Sequence, residues 1–197
     1  MKKKNMVLLA LLALLLALGA YGTVAYFAGE AHVTNVITTG TVDVKLVETK
    51  ADGSPWEDVN GVVAGEVVDK HVWVENTGTA DAWVRVQVIT SAVSADGSQE
   101  LSDTVIDKDF NLSPTEEGDT AYWVPGEGGW YYYSVPLAPG ASTEKLFQNV
   151  TFDTSMGNAY QGAVIHVDVT AQAVQSKNNP IPTGGDVTQI PGWPGSL

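Results

Sequence analysis

Three histidines, His32, His71 and His166, are the first residues to weigh for chemistry, because imidazole is both a metal ligand and a base near neutral pH. Each is followed by valine in a strand-like pattern. None belongs to an HExxH pair, which needs two histidines one helical turn apart. Outward-facing strand histidines are the reading they support, and three histidines converging in space are the alternative. Serine is plentiful, yet no G-x-S-x-G elbow occurs and no serine has a visible base. P-loop and dinucleotide fingerprints are also absent. The chain has no cysteine, which removes disulfides, thiol chemistry and thiolate-bound metal.

Carboxylates gather at Asp96–Asp109 and at Glu116-Glu117-Gly118-Asp119. Their spacing is not that of a calcium loop, so a solvated loop is expected, with weak calcium binding as the alternative. No cofactor is expected. The aromatic run Trp123, Trp130, Tyr131, Tyr132 and Tyr133 offers another kind of site. On a sheet face such rings stack on sugars or pack on another subunit, with Trp123, Trp130 and Tyr132 as the surface contacts. In the competing reading Tyr131 and Tyr133 are core and the others cover a hairpin.

Charge narrows the partners. The 197 residues carry 23 acidic against 10 basic groups, a net of -13. No nucleic-acid partner is expected, because phosphate binding needs a basic footprint. Such an excess favours solubility and mutual repulsion, which cations screen.

The elements that must position these residues begin with a leader. Lys2–Lys4 form a positive region, and Met6 to Leu18 is an apolar run of 13 residues. That is the length of a signal-peptide core and is short for a ~30 Å hydrocarbon span. Gly22 and Ala25 supply small residues for cleavage, and a cut near Tyr26 makes residues 1–26 a helical signal peptide. An uncleaved anchor reaching Ala28 is the alternative. Export to the cell surface or extracellular matrix follows from either.

Residues 27–176 lose helical periodicity and alternate with period two. Thr41–Thr49 places Val42, Val44 and Leu46 on one face, and Val68–Glu75 alternates in the same way. Ala82–Ser91 sends Val84, Val86 and Val88 inward and Trp83, Arg85 and Gln87 outward. Residues 96–120 read as a surface excursion. Tyr122–Pro125 and Gly129–Val135 form a hairpin, Pro136–Gly140 a turn, and Ser142–Asp153 and Ala163–Gln175 the last strands. About seven to nine strands with regular turns predict an all-β fold, a jelly-roll-like or Greek-key antiparallel β-sandwich. Residues 177–197 are Pro/Gly-rich without periodicity, which predicts a flexible tail outside the domain.

Several segments together resemble the TasA/camelysin family of exported proteins. They are Thr23-Val24-Ala25-Tyr26-Phe27 with Val33-Thr34-Asn35 and Thr39–Val44, then Val72–Gly78 with Ala82–Val86. Trp130–Tyr133 with Pro136–Gly140, and Phe147–Phe152 with Ile165–Val174, complete the set. The resemblance implies processing by a signal peptidase of SipW type. It also implies a jelly-roll subunit that polymerises head to tail with itself into biofilm-matrix fibres by donor-strand exchange, with other matrix proteins or polysaccharide as further partners. Carried onto this chain, the donor is about Phe27 to Thr38, with Val33, Val36 and Ile37 as pairing residues and Gly40 as hinge. A structural rather than enzymatic role is thus expected. The family also contains camelysin, described as a surface metalloprotease, and no zinc motif here supports that activity. A surface glycan-binding module using the exposed aromatics is a further alternative.

Overall fold

The structure, a computed structural model, describes residues 41–112 and 121–194. The leader with Gly22, Ala25 and Tyr26, and the donor segment with Phe27, Val33, Val36, Ile37 and Gly40, lie outside the described residues.

Strict alternation of valine with polar residues makes strands that are dry on one face, and that is what the longest segments form. Val67–Asn76 (β2) turns Lys70, Val72, Val74 and Asn76 inward, all buried. Val44–Thr49 (β1) pairs with it antiparallel, Leu46 opposite Val74 and Val44 opposite Asn76. Ala82–Val93 (β3) buries Val84, Val86 and Val88. Two short strands follow, Glu100–Leu101 (β4) and Ile106–Lys108 (β5), within the excursion expected from the sequence. Trp123–Pro125 (β6) and Trp130–Tyr133 (β7) form the expected hairpin, and Phe147–Phe152 (β8) and Val164–Gln175 (β9) complete the set.

The strands make two antiparallel sheets. One runs β1-β2-β8-β5. In the other β3 is the hub, with β9 along its whole length on one side and β7 and β4 on the other, and β6 beyond β7. One core joins them: Val72, Val74, Phe147, Val150 and Phe152 meet Val84, Val86, Val88, Trp123 and Tyr133. Neighbours distant in sequence, such as β2 with β8, are the crossings of a Greek-key sandwich. The all-β sandwich expectation holds.

Turns are fastened by one repeated device, an aspartate followed two residues later by serine or threonine. Asp52, Asp96, Asp153 and Asp186 each accept the backbone N–H of Ser54, Ser98, Ser155 and Thr188 at 2.7–3.1 Å. This is the Asx-turn, in which a short acidic side chain mimics a backbone turn. The Ser94 and Ser98 hydroxyls on Asp96 lower its pKa to about 2.

The tail differs from expectation. Residues 176–194 run over the outer face of the β3 sheet, where Val187 and Ile190 are buried against Trp83, Tyr132 and Val174. Trp83 does point outward, as parity requires, yet it is only 7% exposed because this segment covers it. Apolar residues on the outer side of β3, β7 and β9 give the tail something to bury against, and composition alone did not reveal that.

Candidate functional site

β9 carries the most unusual environment. It pairs with β3 over twelve rungs, from Ala82 opposite Gln175 to Val93 opposite Val164. Among the described residues its other edge pairs with no strand. Its inward side chains Ile165, Val167, Val169 and Ala171 touch the core but stay only half-buried. Beneath them a cleft of about 610 Å³ opens between the sheets, floored by Val68, Val150 and Phe152. Met156, Tyr160 and Val62 also line it. The outward residues His166 and Asp168 are exposed at the rim. An unpaired edge with an open cleft alongside is a template for one more strand.

The same cleft holds a buried cation. Lys70 is 4% exposed and points inward because it lies two residues before Val72. Its ammonium is 2.9 Å from the Glu48 carboxylate and 4.4 Å from the Trp56 ring centre. The β2–β8 register shifts between Asp69 and Val72, giving this stem its room. Charge pairing with a ring above the ammonium offsets part of the cost of burying a cation. Glu48→Gln is expected to destabilise by about 2–3 kcal/mol, less than for stripping a fully buried pair because the carboxylate stays in contact with solvent. Urea unfolding measures this, and the Glu48→Gln, Lys70→Met double variant should recover most of the loss.

The aromatic candidates are redistributed. Trp123 is fully buried, so it is not a surface contact. It sits opposite Tyr133 in the hairpin register, and Tyr133 faces the core, so parity takes Trp123 inside with it. Its indole N–H donates to Glu144 O at 3.0 Å. Tyr132 is on the outer face but buried at 7% beneath the C-terminal segment. Trp130 is half-buried and stacks on the Arg85 guanidinium at 3.8 Å. The Arg85 cluster, the Lys70–Glu48 pair and the docked tail are features the sequence reading missed. Parity offered a signal for the pair alone, since Lys70 and Glu48 fall on the valine faces of their strands.

Residues 1–111 match a family model described as camelysin metallo-endopeptidase. The chain belongs to the camelysin family. TasA is a member of the same family, so the resemblance read from the sequence holds. The camelysin match takes in β1 to β5, including Glu48 and Lys70. No curated protein matches the chain. The camelysin description names a metallo-endopeptidase, and a metal needs converging donors. Among the described residues no three His, Cys, Asp or Glu side chains come together. His71 Nδ1 lies 3.1 Å from the Lys145 ammonium, and His166 is exposed on β9. His71 and His166 therefore do not form a metal centre with the carboxylates of the described residues; His32 lies outside the described residues.

Proposed function

We propose that the chain is a secreted structural subunit of extracellular fibres, assembled by strand addition between copies. Residues Phe27–Thr38 of one copy lie along the edge of β9 in the next, with Val33, Val36 and Ile37 as pairing residues, Val33 and Ile37 on the face turned to the cleft, and Gly40 as the hinge. The observation that carries this reading is the twelve-residue edge of β9, unpaired among the described residues and flanked by a cleft that mixes valines and Phe152 with the Lys70–Glu48 pair. Backbone hydrogen bonds supply affinity in such a joint and the alternating side chains set register. The contact is head to tail and does not close on itself, which yields filaments. A signal peptidase of SipW type frees the donor by cutting near Tyr26. Trp130, the one candidate ring left partly open, is the contact for polysaccharide or other matrix proteins.

Deleting residues 27–38 from the mature protein is expected to abolish fibres in electron micrographs while circular dichroism keeps its β signature. Undiminished fibres from that deletion would sink the joint. Because the chain is strongly acidic, with a net charge of -13 even before the three leader lysines are removed, acidification or divalent cations should promote assembly. Asp96 keeps its charge to lower pH than an ordinary carboxylate, since the hydroxyls of Ser94 and Ser98 hold it at about 2. A second reading, a cell-surface metallopeptidase, is favoured by the family's description. Chelator-sensitive casein cleavage lost on replacing His32, His71 or His166 would decide for it.

A further inference from the structure

We infer that the outer face of the β3 sheet is a peptide-binding seat, filled here by the chain's own residues 187–193 and fitted to take the same segment from a second copy. Trp83, Tyr132 and Val174 project from three neighbouring strands and would meet water on a bare sheet, yet each is 7% exposed. Val187, Ile190 and Trp193, spaced three apart, fill that face. At its far end Arg85 forms a clamp. The guanidinium lies between Trp130 at 3.8 Å and Trp193 at 4.6 Å. It donates to Gln172 Oε1 at 2.6 and 3.0 Å, to the Tyr132 hydroxyl at 3.3 Å and to Pro194 O at 3.3 Å. Its partners among the described residues are rings, a hydroxyl, an amide and a carbonyl, which is the chemistry of recognising an aromatic residue and the backbone after it.

Two observations make the occupant exchangeable. The segment adds no strand to the sheet, so it is held by inserted side chains and scattered hydrogen bonds rather than by a ladder. The Trp193 indole N–H is buried without an acceptor among the described residues, a cost regained on release. The tether is separate from the ligand. Asn179 is pinned by Trp83 Nε1 on its carbonyl and by its own amide on Gln175 O, both at 2.9 Å. Between it and Asp186 the chain holds Pro180, Pro182, Gly184 and Gly185 with no strand. The seat lies on the outer face of the sheet and not in the cleft, so this contact stands whether or not β9 accepts a donor strand.

A substitution at Gly192 strains the occupant's backbone while leaving Trp83, Tyr132, Val174 and Arg85 of the seat unchanged. The φ of Gly192 is +81°, and a side chain there would run into Asn179. The test uses a fluorescein-labelled peptide of residues 184–194 and the full chain as wild type, Gly192→Val and Trp193→Ala, read by anisotropy. Both variants should bind the peptide at least tenfold more tightly than wild type, whose seat is filled. Adding Arg85→Gln to Gly192→Val should weaken that binding at least tenfold. Folded variants that ignore the peptide, or a wild type that binds it equally well, would overturn the proposal. So would loss of the β signature in both variants, since a segment the sheet needs in order to fold is not an exchangeable ligand.

Discussion

Trp123→Ala is expected to destabilise the protein by about 3–5 kcal/mol, the range for deleting a buried tryptophan from a packed core. Trp123 is 0% exposed and meets Tyr133 at 5.1 Å between ring centres. The substitution removes apolar surface, leaves a cavity where the sheets meet, and strands the Glu144 carbonyl that the indole N–H served. Tyr133 would feel the loss directly, because its hydroxyl accepts the Glu144 N–H at 3.1 Å and fixes the same loop. Thermal or urea unfolding gives the measurement. A loss below about 1 kcal/mol would mean that the hairpin is not part of the core. Trp130→Ala should cost far less, since that ring lies on the outer face.

Asn76→Leu is the second large effect, about 2–4 kcal/mol, although it replaces a buried polar group by an apolar one of similar size. Asn76 is 1% exposed at the end of β2. Its amide donates to Ala80 O at 3.0 Å and Leu137 O at 2.8 Å, and its carbonyl accepts the Gly78 N–H at 3.0 Å. Its backbone also meets Ala141 O and Gly140 N, both at 2.9 Å. One side chain therefore ties the turn before β3 to the Pro136–Gly140 turn, and leucine would leave its partners buried and short of bonds. Chemical denaturation of Asn76→Leu beside Asn76→Ala separates lost bonds from lost volume. Equal stability of Asn76→Leu and wild type would refute the tie.

The two effects also mark what could be read from the chain. Alternation placed Val84, Val86 and Val88 inside without any structure, because side-chain direction in a strand has period two. The same rule places Lys70 and Glu48 inside, but a charged residue on a valine face reads as an exception until its partner is seen. For Trp123 the deciding fact is which residue it faces across the hairpin. That depends on loop geometry around Gly126–Gly129, and a hairpin shifted by one residue would put it in water. The tail was hardest. Proline and glycine report the flexibility of a free chain, and they say nothing about a hydrophobic face waiting several strands away. The cleft beside β9 is likewise a property of two sheets together, and no single strand announces it.

The pairing of β9 with β3 has a mechanical side. Twelve antiparallel rungs join the two strands, and β3 is also bonded to β7 and β4 on its other edge. A pull along β9 runs parallel to that ladder, so the rungs are loaded in shear and must yield together rather than unzip in turn. Force entering at this edge is handed through β3 to the rest of the sheet, which makes the hub strand the tension member of the subunit.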